Sequence, residues 1–317
     1  MVDIVINERG GPPLHYVLAH LTLSIEPSPT SLRALSVAAM LLAVPVVYDL
    51  GRQLGGVMAG SVSVVVAVLS PFMDIFGSFG RPYAVFLLTS VLALNLFVRA
   101  MEKRTLTASA LAALAAVLAA ATHTYGFYLL LVEGVIALAL WRFRPFRGFL
   151  IVLGTGVLLI PLVIGAHRLS ERFAVVQNED LSAQPRVAAR QVFHALIGSS
   201  AGRPTFWLFA VLALVGMVVL VRRRPSVGAL ALGLLFAPPL AYLFVSTRGG
   251  DGLSGVSPRH LLFLLPLWTS LIGVGAAQLG RRLPVLGRAV AVALLAIVAA
   301  VTPIDGVFDV RERAPDA

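Results

Sequence analysis

Residues 82–101 read Pro-Tyr-Ala-Val-Phe-Leu-Leu-Thr-Ser-Val-Leu-Ala-Leu-Asn-Leu-Phe-Val-Arg-Ala-Met, twenty positions with a single charge, at Arg99. A helix needs about 20 such residues to cross the hydrocarbon of a bilayer. The run is apolar all round and has no polar stripe to turn to water, so its solvent is lipid or other helices. Working outward, nine more runs of this kind lie at about 31–50, 55–73, 106–122, 124–141, 148–166, 205–221, 226–246, 258–278 and 286–303. They leave little room for soluble structure. Of the 317 residues, 58% are hydrophobic and 13% charged, against about a quarter charged in a typical soluble domain. The mean hydropathy is +0.92. The reading is an all-α, polytopic helix bundle of about ten spans forming a single domain over 1–317. It divides into an outer loop with an interfacial helix (1–30), six spans (31–166), an outer loop (167–203), four spans (204–303) and a tail (304–317). The runs at 106–122 and 124–141 meet at His123 and predict a tight helical hairpin. The stretch Pro12 to Ile25 is short for a span and reads as an interfacial helix, opened by Pro12-Pro13 and closed by Pro27 and Pro29.

The net charge of +10 comes from 24 Arg and one Lys. These sit mainly at the ends of the apolar runs, where topology and headgroups account for them. A nucleic-acid partner is therefore not expected. The absence of cysteine excludes disulfides, thiol catalysis and thiolate metal sites. Alternate short loops hold Arg52; Arg99, Lys103 and Arg104; Arg142, Arg144 and Arg147; Arg222, Arg223 and Arg224; and Arg281, Arg282 and Arg288. The opposite short loops hold Arg81, Arg248 and Arg259. Positive charge marks the cytoplasmic side, which puts the termini and the 12–25 helix outside. The long loop 167–203 carries five Arg on that outer side, but long loops weigh little in this count. An outside N-terminus ahead of ten spans, without a signal peptide in 1–11, predicts that a natural first span is missing from the chain.

Polar residues near the apolar runs are the informative ones, because lipid makes them costly. Arg33, Arg81 and Arg259 stand at outer helix mouths. They either snorkel to lipid phosphates or converge on a phosphate-bearing lipid ligand, to which guanidinium offers a matching fork. His123, at the hairpin tip, either caps a helix or lines a cavity. Glu133, about two turns deeper, is either a functional acid or a hydrogen-bonding group between helices. In the long loop, Arg186, Arg190 and His194 share one face of a possible helix over Gln184–Ile197, and Ala189, Val192, Phe193 and Leu196 share the other. That pattern predicts an amphipathic helix on the outer leaflet, touching anionic lipid or a lipid-phosphate substrate. No metal-ligand spacing, phosphate-cradling glycine loop or nucleophile elbow appears. No metal or cofactor is expected.

Several segments, taken in order, resemble the GT-C glycosyltransferases, and among them the bacterial relatives of the dolichyl-phosphate-mannose protein mannosyltransferases. They are Glu8-Arg9-Gly10-Gly11-Pro12-Pro13-Leu14-His15-Tyr16, Leu32-Arg33-Ala34-Leu35-Ser36, Val47-Tyr48-Asp49-Leu50-Gly51-Arg52 and Leu69-Ser70-Pro71-Phe72. Then come Gly80-Arg81-Pro82-Tyr83-Ala84, Thr122-His123-Thr124-Tyr125-Gly126, and Arg259-His260-Leu261-Leu262-Phe263 with Pro266. The resemblance covers about 8–145 and 258–278. It implies transfer of a sugar, with inversion, from a polyprenyl-phosphate carrier to a lipid, glycan or protein on the extracytoplasmic face of a cell membrane. Arg33, Arg81 and Arg259 would bind the donor phosphate, and His15, Tyr83, His123 and Tyr125 would line the substrate cavity. Such enzymes carry an acidic residue in the first outer loop, upstream of the Pro-Pro. Its counterpart is expected upstream of Met1, with Asp3 and Glu8 as the substitute candidates, so catalysis is not expected of this polypeptide as it stands. The acid often found two residues before the Arg-Pro-Tyr motif is Phe79 here. A lipid or solute transporter and a non-catalytic membrane subunit are the alternatives. A transporter should show matching halves, and no convincing internal repeat appears.

Overall fold

The computed structural model describes residues 12–77, 80–140, 144–156, 193, 196, 203–246 and 258–301, and every element among them is helical. Helix α1 (Leu14–Ile25) follows the Pro12-Pro13 pair and ends where Glu26 turns extended. Helix α2 (Pro29–Gly55) starts with Pro29 in its first turn and Ser28 as cap, whose Oγ accepts from the Ser31 amide at 3.2 Å. It stops at Gly56, where φ is +88°, a region that favours glycine. Helices α3 (Val57–Val68) and α4 (Pro71–Gly77) follow, then α5 (Tyr83–Lys103) and α6 (Leu106–Thr122). Next are α7 (Gly126–Ala139), α8 (Arg144–Gly156), α9 (Arg203–Arg223) and α10 (Pro225–Ser246). A 3-10 helix (Pro258–Leu264) leads into α11 (Leu265–Leu279), and α12 (Val285–Val301) closes the described chain.

Each of the ten apolar runs carries helix where it is described, the 148–166 run as far as Gly156. Among the described residues, four helices are long and apolar enough to span unaided: Pro29–Gly55, Tyr83–Lys103, Thr205–Arg223 and Leu261–Leu279. The 55–73 run is not one straight span. It breaks at Leu69-Ser70, and α4 leaves α3 at 56°. Ser70 explains the break, since its Oγ accepts from the Phe72 amide at 3.2 Å and its carbonyl from the Met73 amide at 2.9 Å, starting a new helix before Pro71. The ninth run likewise opens as a 3-10 helix.

Helix α11 is the hub. Every residue from Leu265 to Ala276 is buried, and the helix packs on α2, α3, α5 and α9. Small residues let it approach. A β-carbon on Gly273 would strike the Ala59 carbonyl of α3, and one on Gly275 the Leu212 carbonyl of α9. Close backbone approach through small residues is how helices gain packing energy where lipid supplies no hydrophobic drive between them. The periphery is the reverse: Leu41 is 67% exposed and Val285 82%. A belt of bare aliphatic side chains suits acyl chains and would aggregate in water.

The cation-rich loops gather at one end. Asp49 Oδ1 accepts from Arg52 at 2.7 Å. Its Oδ2 accepts from Gln53 at 2.6 Å, from Asn95 at 2.8 Å and from Arg99. Arg224 donates to Glu102 at 2.6 Å and to the Gln53 carbonyl at 2.8 Å. This network ties α2, α5 and the α9–α10 junction together. Of the amphipathic helix expected over Gln184–Ile197, only Phe193 and Leu196 are described. Both are helical and pack on the core, with Phe193 edge-on to Phe206 at 4.8 Å.

Candidate functional site

The opposite end of the bundle holds the arginines and aromatic residues singled out in the sequence. Gly80 (φ +61°) lies against the backbone of Leu32 and Arg33, at ordinary van der Waals distance from the position its β-carbon would take. Arg81 follows directly. Two residues 48 positions apart thus start neighbouring helices side by side, and both are exposed. Arg259 lies on the 3-10 helix, which packs against α5, α10 and α11. It is the only one of the three whose side chain is not described.

Beside the arginines is a chain of rings. Tyr83 stands 5.1 Å from Phe76 of α4 and 5.9 Å from His123. His123 stacks on Phe86 at 4.9 Å and lies 5.7 Å from Tyr125. Phe263, from the 3-10 helix of Arg259, lies 5.9 Å from Phe86 and parallel to Tyr128 at 6.2 Å. The hairpin tip is as tight as the sequence predicts. His123 caps α6 through its amide on the Ala119 carbonyl at 3.1 Å. Its Nδ1 accepts from the Tyr125 amide at 3.2 Å. An accepting Nδ1 leaves the proton of a neutral imidazole on Nε2. His123 therefore caps the helix, one of the two roles left open by the sequence, and packs in the ring cluster.

Tyr83, His123 and Tyr125 come together. His15 does not join their ring contacts among the described residues: its ring packs edge-on to Tyr16 at 5.8 Å. It is buried on α1, which lies on α2 and α6, and its Nδ1 has no hydrogen-bond partner among the described residues. Burial pushes its pKa down to about 4. Asp3 and Glu8 lie outside the described residues, as does Phe79. Glu133 is fully buried on α7, with neither carboxylate oxygen bonded among the described residues. Among the described residues it therefore makes no interhelical hydrogen bond of the kind considered for it. Among the described residues no three His, Asp or Glu are grouped to hold a metal ion.

Four residues at this end were not anticipated. Phe86, Tyr128 and Phe263 read as ordinary apolar or interfacial positions until the three helix ends meet. Asp74 lies three residues beyond the Ser70-Pro71 break, exposed on α4. The Ser-Pro pair was its available signal, since it starts a helix in the middle of an apolar run.

Residues 10–166 match the sequence model of a family described as dolichyl-phosphate-mannose-protein mannosyltransferase. That segment includes Arg33, Arg81 and the hairpin tip. The fold matches the apo crystal structure of ArnT from Cupriavidus metallidurans with a TM-score of 0.59 and 18% identity, over 92% of this chain and 53% of that one. Over nearly its whole length the chain thus has the fold of that membrane enzyme, and residues 10–166 carry the family match. The chain also matches the oligosaccharyltransferase of Archaeoglobus fulgidus. With a tethered acceptor peptide containing the NVT sequon, the TM-score is 0.51 and the identity 13%, over 92% of this chain and 46% of that one. In complex with Zn and sulfate, they are 0.53 and 13%, over 99% and 50%. The chain thus spans about half the length of the solved structures it matches. No curated protein matches it.

Proposed function

We propose that the protein transfers a sugar from a polyprenyl-phosphate carrier to an acceptor hydroxyl of a lipid, glycan or protein, at the extracytoplasmic end of the bundle. The observation that supports this most directly is the seating of Gly80 on Leu32-Arg33, which brings together the helix starts that carry Arg33 and Arg81. The 3-10 helix of Arg259 packs on the same helix, α5. In the transfer, the acceptor oxygen attacks the anomeric carbon as the bond to the carrier phosphate breaks, with inversion. Negative charge grows on the departing phosphate oxygen, and guanidinium groups placed there stabilise it more in the transition state than in the ground state. The acceptor proton needs a carboxylate. Among the described residues at this end, Asp74 and Glu26 carry one, and Asp74 sits on the helix whose Phe76 packs on Tyr83. The ring cluster of Tyr83, His123 and Tyr125 would then flank the sugar, and His15 would support α1.

The test is transfer from a radiolabelled polyprenyl-phosphate sugar in membranes carrying the complete protein. Arg33→Ala and Arg81→Ala should each reduce turnover on the order of 10²-fold, and Asp74→Asn by a similar factor, with membrane insertion unchanged. Normal turnover in both arginine variants would overturn the donor-phosphate assignment. Normal turnover in Asp74→Asn alone would move the base elsewhere.

A further inference from the structure

At the cation-rich end, away from the proposed sugar-transfer site, a cavity of about 380 Å³ lies between the ends of α2, α9 and α11. Arg52, Arg223, Arg224 and Arg281 line it, together with Gln53 and Gln278. Two of the four arginines are already held, Arg52 by Asp49 at 2.7 Å and Arg224 by Glu102 at 2.6 Å. The guanidinium groups of Arg223 and Arg281 have no partner among the described residues. Asp49 is further shared with Arg99. Positive charge in the lining and its supports therefore exceeds negative, and the excess faces one shared cavity.

Topology alone requires cations somewhere in these loops. It does not require guanidiniums from three separate helix ends to point at a common space. Like charges brought together cost energy unless an anion offsets them. The lining also supplies more than charge. The amide oxygens of Gln53 and Gln278 are buried with no hydrogen-bond partner among the described residues. For Gln53 the orientation follows from its amide nitrogen, which donates to Asp49. A ligand carrying both phosphate oxygens and hydroxyls would satisfy guanidiniums and amide oxygens together.

We propose that this cavity is a phosphate-anion site that takes the head of an anionic phospholipid such as phosphatidylglycerol. Free phosphate shares the recognition chemistry, and the experiment separates the two sources. The unfolding temperature of the purified protein is measured in neutral detergent with added phosphatidylglycerol, phosphatidylcholine or inorganic phosphate. Native mass spectrometry counts the lipids retained. Phosphatidylglycerol should raise the unfolding temperature saturably and leave one retained lipid. Phosphatidylcholine should do neither. Arg223→Ala/Arg281→Ala should weaken the effect at least tenfold, whereas Arg222→Ala, which removes a neighbouring charge outside the lining, should not. A phosphate shift as large, lost in the same double variant, would assign the site to free phosphate. Equal stabilisation by phosphatidylcholine, an undiminished lipid effect in the double variant, or an equal loss in Arg222→Ala would overturn the proposal.

Discussion

A β-carbon on Gly126 would stand inside the Ala119 and Ala120 backbone. The hairpin between α6 and α7 closes over that missing atom, which is why His123 and Tyr125 face the same ring cluster. Gly126→Leu should destabilise the protein by about 1–3 kcal/mol through overpacking and should splay the tip. A lowered unfolding temperature together with lost transfer would show both effects. His15 makes a different kind of prediction. Its folded pKa is about 4, against 6.5 for an exposed imidazole. Above pH 6.5 it is neutral in both states and costs nothing. As pH falls from 6.5 to 4, the unfolded chain takes up the proton and the folded one does not, so stability declines by at most about 1.4 kcal/mol per pH unit. His15→Phe should flatten the unfolding temperature over that interval, and an unchanged slope would refute the assignment. The place of Arg33, Arg81 and Arg259 at helix starts was legible in the sequence. The meeting of the helix starts that carry Arg33 and Arg81 was not, because it depends on Gly80 lying against a backbone 47 residues earlier.

At the scale of elements, the run that became α11 gave no sign of being central. Its composition is no more apolar than that of its neighbours, and centrality arises from where glycine faces glycine across helices. A β-carbon on Gly216 of α9 would meet the Leu271 carbonyl of α11, and one on Gly275 of α11 the Leu212 carbonyl of α9. Gly275→Leu should therefore separate α9 from α11 and abolish recovery of folded protein. Gly154→Leu, where nothing lies within 4 Å of the added carbon, should be tolerated. Size-exclusion profiles in detergent compare the two directly. The positions of the helices were legible because twenty apolar residues in a row leave the backbone no other way to satisfy its hydrogen bonds in lipid. The break between α3 and α4 was less so. Leu69, Ser70 and Pro71 stand inside a run that hydropathy alone joins into one segment, and only the hydrogen bonds of Ser70 separate its halves.

Across the whole molecule, the two ends are chemically distinct. One is bound by a guanidinium–carboxylate network reaching from α2 to the α9–α10 junction. The other is built from rings, exposed arginines and the short helix α4. Charge counting by loop anticipated this asymmetry, since each helix reverses the direction of the last. The partners of Asp49 were beyond such counting, because Asn95 and Arg99 reach it from another helix. The early end of α3 sets a depth. Twelve residues rise about 18 Å, well short of the roughly 30 Å of hydrocarbon, and α4 then turns aside rather than continuing outward. The floor under Tyr83 and Phe76 is thus expected below the headgroups, where the carrier lipid of the proposed transfer would reach it by diffusing sideways within its leaflet. Because the chain has no cysteine, a single introduced one reports that depth without background. Ile75→Cys in intact membranes should react with a water-soluble maleimide at least tenfold more slowly than Ser28→Cys, and equal rates would place α4 at the water's edge.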